Sequence, residues 1–270
     1  MVRICDKQYP ATNEEKYKEH FSKFSFPLSD FQKYAIESTV EGNHVLVTAH
    51  TGSGKTLPAE FAIDYFVSKG KKVIYTSPIK ALSNQKFYEF SEKFPHISFG
   101  ILTGDIKTNP EADVLIMTTE ILQNTLYLKQ RDIVTTSKLH FDMDIQNELG
   151  CVIFDEIHYI NDADRGKVWE ESILMLPQHV QMVMLSATID SPEKFADWVE
   201  KEKSKQSISK NIPEKKMILA PTYNRVVPLT HNMWISAHQS IFKKVKNTEY
   251  NRPFKEYTNN EQIKKLWENS

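Results

Sequence analysis

HVLVTAHTGSGKT, His44–Thr56, decides the fold of this 270-residue chain. HVLVTA (His44–Ala49) is a continuous apolar run of strand type, and the segment from Lys55 to Lys69 reads as a helix. Pro58 is tolerated there because it falls in the first turn. A Gly-rich turn between a strand and a helix is the context in which Gly-Ser-Gly-Lys-Thr holds phosphate. Gly52 and Gly54 let the backbone N–H groups of Thr51–Gly54, Ser53 among them, converge on phosphate oxygens, and the helix N-terminus adds partial positive charge. Lys55 reaches the β- and γ-phosphates, and the Thr56 hydroxyl suits Mg²⁺. Ala49 stands where the usual pattern has Gly, but that position closes the strand and does not touch phosphate.

Outward from the loop, short apolar runs alternate with amphipathic ones. KVIYTS (Lys72–Ser77), SFGIL (Ser98–Leu102), DVLIMTT (Asp113–Thr119), CVIFDE (Cys151–Glu156), MVMLSA (Met182–Ala187) and KMILA (Lys216–Ala220) read as strands, and Ile79–Phe94 as a helix. Runs that are apolar throughout suit a parallel sheet covered on both faces. The alternation predicts a three-layer, doubly wound α/β domain with a mainly parallel sheet. Residues 1–25 read as a polar arm, 26–222 as the nucleotide-binding domain and 223–270 as a connector. EKSKQSISKNIPEKK, after Lys201, reads as a solvated charged loop.

Two acids follow the apolar strand in VIFDEIH (Val152–His158). At a strand end, Asp155 suits the Mg²⁺ shell and Glu156 suits a general base for an attacking water. LSATID (Leu185–Asp190) ends another strand, and Ser186 and Thr188 stand where they could bond across to the acids. The formal net charge is -1, which excludes nucleic-acid binding by bulk charge alone. The two cysteines, Cys5 and Cys151, show no metal spacing, and no run approaches the length of a membrane span. A soluble, intracellular, monomeric chain is the expectation.

In order, AHTGSGKT, DEIH and SAT resemble the motifs of superfamily 2 helicases. TSPIKALSNQK (Thr76–Lys86) resembles their motif Ia, and LTGD (Leu102–Asp105) and MTTEIL (Met117–Leu122) resemble the segments around motif Ib. DEIHYINDADRGKVWEE (Asp155–Glu171) is similar to the superkiller-type DExH-box RNA helicases, which feed RNA to the exosome. FPLSDFQ (Phe26–Gln32) matches that group's adenine-recognition segment, and YNRVVPLTHNMW (Tyr223–Trp234) its exit from the first motor domain.

The resemblance implies a RecA-like first motor domain binding ATP, Mg²⁺ and single-stranded RNA, with DNA as the runner-up substrate. It implies that Phe26 stacks on adenine, Gln32 bonds its edge, His158 links the nucleotide to the nucleic-acid track, and Ser186 and Thr188 couple hydrolysis to movement. Bland roles stand beside these: a packed aromatic, a helix cap, and a satisfied polar residue at a strand exit. Backbone contacts fall to Ser77, Pro78, Lys80, Gly104, Thr118, Thr119 and Glu120, because helix N-termini with small hydroxyls suit phosphate oxygens without bulk charge.

Such a motor needs a second RecA-like domain, in cis or in trans, whose arginine fingers lie in a segment resembling Gln-x-x-Gly-Arg-x-Gly-Arg. The sequence holds no such segment. Fingers of this kind are worth about 10³–10⁵ in rate, so weak ATP binding and very slow turnover are expected of this chain alone. A non-catalytic nucleotide-binding scaffold is the reading from another class, and the intact Lys55, Asp155 and Glu156 stand against it.

Overall fold

The computed structural model describes residues 2–130, 143–187, 189–210 and 213–223. Thr188 and the expected connector beyond Tyr223 lie outside the described residues. The strands are β1 (Arg3–Ile4), β2 (His44–Thr48), β3 (Lys72–Ser77), β4 (Phe99–Leu102), β5 (Lys107–Thr108), β6 (Val114–Thr118), β7 (Leu149–Phe154), β8 (Gln181–Ser186) and β9 (Met217–Pro221). They form one sheet in the order β1-β9-β2-β8-β7-β3-β6-β4-β5. Its pairings are parallel except for β4 with β5.

The period of two along each strand sends alternate side chains to opposite faces. Leu46, Ile74, Leu115, Val152 and Met184 pack one face, against α6 (Thr119–Gln130), α7 (Gly166–Met175) and α8 (Pro192–Lys210). Val45, Tyr75, Ile116, Ile153 and Leu185 pack the other, against α3 (Asp30–Val40), α4 (Leu57–Val67) and α5 (Lys80–Lys93). Both faces are therefore dry, which is why the strands read as unbroken apolar runs. The domain is three-layered and doubly wound, as the alternation of elements predicts, and fits the RecA-like class that the resemblance implies.

Two regions differ from their compositional reading. The charged stretch after Lys201 is a loop only in part: its first half continues α8 to Lys210, while residues 213–216 form no helix or strand. Ala196, Val199, Lys203 and Ser207 are buried at helical spacing, so one face is held while the charges on the other are solvated. Lys203 is only 3% exposed and donates its ammonium to the carbonyl of Leu176 at 2.8 Å. The polar N-terminal residues also join the fold. Besides β1 they form α1 (Ala11–Lys16) and α2 (Lys18–Phe21). Buried Glu37 of α3 ties them down, accepting from Arg3 at 3.3 Å, Tyr9 at 2.6 Å and Asn13 at 3.1 Å.

Candidate nucleotide site and nucleic-acid groove

The parallel strands place their C-terminal ends along one edge, where sites form in such sheets. β2 delivers the loop, β7 delivers the two acids, and β8 lies between them. Gly52 and Gly54 adopt φ of 85° and 80°. At Gly54 the positive φ disfavours a side chain, and a Cβ there would also displace the Gln32 amide, whose Nε2 would lie 2.7 Å away. Thr56 occupies the N-cap position of α4 without a side-chain capping bond, and Pro58 sits in the first turn.

Lys55 Nζ forms an ion pair with Glu156 Oε1. Glu156 takes a left-handed conformation with φ 53°, uncommon for a residue with a side chain. This sharp exit from β7 aims its carboxylate back at the loop. His158, in a 3₁₀ turn (Ile157–Asn161), holds Nδ1 3.3 Å from Glu156 Oε2, within ion-pair reach when protonated but without hydrogen-bond geometry.

Asp155 is 5% exposed, and burial pushes its carboxyl above the usual carboxylate range. Two donors offset this: the Tyr75 hydroxyl gives to Oδ2 at 2.6 Å and the Glu156 N–H to Oδ1 at 3.0 Å. Burial also raises the Tyr75 hydroxyl far above its ordinary value, so it remains a donor. Tyr75 is a site residue that no motif announces; the signal would have been a polar handle inside an apolar strand.

Gln32 both caps and links. Its Oε1 accepts from the Ser29 N–H at 2.9 Å, and its Nε2 donates to the Gly54 carbonyl at 3.1 Å. Phe26 is exposed and lines a groove with Phe24, Phe61 and Phe94. Ser186 does not bond across to the acids: its buried hydroxyl has no partner among the described residues, and the same holds for Ser53.

Among the described residues no cluster of three or more His, Cys, Asp or Glu could hold a metal unaided. Magnesium commonly takes one or two protein oxygens and completes its shell with water and phosphate. Thr56 and Asp155 offer those oxygens. The unpartnered hydroxyls of Ser53 and Ser186 fit a hydrated polyphosphate in the same place.

Farther along the edge, an open groove of about 480 Å³ lies between the starts of α5 and α6. Pro78, Lys80, Gly104, Thr118 and Glu120 line it, with Ile79, Ile121, Asn124 and Arg165. Ser77 and Thr119 are fully buried rather than presented to the groove. The Ser77 hydroxyl is spent locally, on the Ile79 carbonyl at 3.2 Å and on Ser83 at 2.7 Å. Lys80 pairs with Asp105 at 2.5 Å, and Arg165 pairs with Glu120.

A phosphate-type loop and paired acids, on strands flanking a third in a doubly covered sheet, define a P-loop nucleotide-binding domain. Residues 29–195 match the DEAD/DEAH box helicase family, and the chain belongs to that family. It is 45% identical to the antiviral helicase SKI2 of Saccharomyces cerevisiae over 209 residues, 77% of this chain and 14% of SKI2. It is 45% identical to the human exosome RNA helicase MTR4 over 177 residues, 66% of this chain and 16% of MTR4. The chain thus spans about a seventh of the length of these relatives.

Among solved structures, the Mycobacterium smegmatis helicase Lhr bound to ssDNA and AMP-PNP matches at 28% identity and a TM-score of 0.51, over 79% of this chain and 28% of that one. The helicase MrfA bound to DNA matches at 19% identity and a TM-score of 0.56, over 82% of this chain and 31% of that one, a likeness of fold alone. Among the described residues no helix is long and apolar enough to cross a membrane.

Proposed function

We propose that this chain is the first motor domain of an ATP-dependent RNA helicase, binding Mg²⁺-ATP at the loop and the backbone of single-stranded RNA in the groove. The observation that carries the reading is the shared edge: the loop, the acids and the groove all lie at the C-terminal ends of one parallel sheet. A triphosphate competes with Glu156 for Lys55. Once released, Glu156 is a carboxylate placed to accept a proton from the attacking water. Mg²⁺ supplies charge neutralisation at the phosphoryl oxygens. His158 stands between Glu156 and the segment leading to α7. In this reading Gln32, bonded to the loop, bonds the adenine edge, and the exposed Phe26 stacks on the base.

A relative named an RNA helicase, MTR4, at 45% identity, favours RNA. DNA is the second reading, favoured by Lhr and its ssDNA. A second RecA-like domain, in cis or in trans, completes the nucleotide site in this scheme.

Titration with a fluorescent ATP analogue, with Lys55→Ala as control, tests the loop; equal affinity in both chains removes the nucleotide from the account. Competition between matched RNA and DNA single strands tests the substrate. Preference for DNA replaces the first reading with the second.

A further inference from the structure

Arg165 holds together the two helix starts that make the groove. Its guanidinium donates to the Pro78 carbonyl, just before α5, and to Glu120, the second residue of α6. Nε lies 3.1 Å from Glu120 Oε1. The backbone beneath it is fixed. Asp162 Oδ1 accepts the Arg165 N–H at 2.9 Å, and the Gly166 N–H bonds the Asp162 carbonyl at 2.9 Å. Gly166 is required there because a Cβ would run into the carbonyl of Ile160. Arg165 is therefore a preorganised fork on the segment that follows the acids.

The electrostatics give the fork a purpose. Among the described residues that line the groove, Glu120 is the one carboxylate, Asp105 standing beside it on Lys80, and Glu120 faces the place proposed for a phosphate backbone. An unpaired carboxylate there repels phosphate. Arg165 cancels that charge, and at 34% exposure its side chain is largely occupied by its two partners.

We infer that Arg165 is a positioning residue for nucleic-acid binding: it acts through Glu120, neutralising the carboxylate that faces the backbone, and does not itself hold a phosphate. The inference rests on the RNA-binding reading above.

The test is fluorescence anisotropy with a labelled 20-nucleotide oligouridine over a range of low salt, using the full 270-residue chain. Arg165→Gln is expected to weaken binding about tenfold by exposing the Glu120 charge. Adding Glu120→Gln to it restores affinity to within about threefold of the unaltered chain, because the two changes remove one coupled pair. Glu120→Gln alone tightens binding. The salt slope of the double variant equals that of the unaltered chain.

A direct phosphate contact would instead lower the slope by about 0.7 for a single strand, without rescue. Either result, absent rescue or a lowered slope in the double variant, overturns the inference while leaving RNA binding intact. Should Arg165→Gln lose its thermal melting transition, Glu120→Gln alone decides: tightening supports the inference and weakening overturns it. If the unaltered chain binds no oligouridine, the RNA-binding reading fails and the inference falls with it.

Discussion

His44 opens β2, the strand that delivers the phosphate loop, and it makes that strand sensitive to acid. The ring is 1% exposed, and its Nδ1 accepts the Met182 N–H of β8 at 3.1 Å. Burial, reinforced by the positive charges of Lys203 and Lys215, lowers its pKa from 6.5 to about 3. The folded chain thus keeps this imidazole neutral, whereas the unfolded chain protonates it near 6.5. Between those values the unfolded state binds the extra proton, so stability falls as pH falls.

The loss is about 1.4 kcal/mol per pH unit. From pH 7.5 to 4.5 it amounts to about 2.7 kcal/mol, a large share of the roughly 5–15 kcal/mol that holds a domain together. His44→Asn keeps an acceptor for the Met182 N–H and removes the titration. Urea unfolding of both chains at the two pH values gives four free energies. Any packing cost of Asn enters at both pH values, and the other histidines cancel in the subtraction. The variant should lose about 2.7 kcal/mol less on acidification than the unaltered chain. Equal losses would show that His44 is protonated in the folded state, and the reasoning from burial would be wrong.

Three further outcomes are expected. Tyr75→Phe leaves Asp155 Oδ2 without its donor, so urea unfolding should report a loss of about 1.5–3 kcal/mol, with weaker Mg²⁺-dependent nucleotide binding; a change below about 0.5 kcal/mol would mean the bond is not formed in solution. Asp105→Asn frees the exposed Lys80 for phosphate, and oligouridine affinity should rise about two- to fivefold with thermal stability unchanged, whereas weaker binding would show that Lys80 needs Asp105 to hold it in position. Gly166→Ala meets the backbone carbonyl of Ile160, which has no flexible end to move aside; a lowered melting temperature together with weaker oligouridine binding is the expected result, and an unchanged melting temperature would show that the turn before α7 yields.

What was legible in the sequence was local. The loop and the acids are spaced within single stretches, each bounded by an apolar run, so chemistry and strand end could be read together. Lys55 and Glu156 are 101 residues apart, yet a phosphate loop and an acidic pair imply one another. Tyr75 and Arg165 were not legible in that way. Arg165 stands in a quoted motif, but its partners lie 45 and 87 residues away and nothing local names them. Composition misled over α8, because Lys203 and Ser207 occupy buried helical positions normally filled by apolar residues. Lysine stems can line an apolar face while the ammonium finds a carbonyl, and residue type alone does not reveal this. The two-residue β1 was missed because no periodicity can be read from so short a run.

β3 joins the two halves of the candidate machine. Its last residues alternate between tasks: Tyr75 bonds the Asp155 carboxylate, and the Thr76 carbonyl accepts the Asp155 N–H at 2.9 Å. Ser77 ties to the start of α5 through Ser83, and Pro78, just beyond the strand, offers its carbonyl to Arg165. Arg165 in turn belongs to the segment that runs on from Asp155 and Glu156. A closed circuit results, from the acids through β3 to the groove and back along the chain to the acids. Asp155 and Pro78 are therefore connected by two routes, one through the strand and one through the 3₁₀ turn and Arg165. Packed, hydrogen-bonded elements of this kind move together rather than deform continuously. The proposed nucleotide site and the proposed nucleic-acid groove are thus joined by a continuous hydrogen-bonded path at the edge of this one sheet.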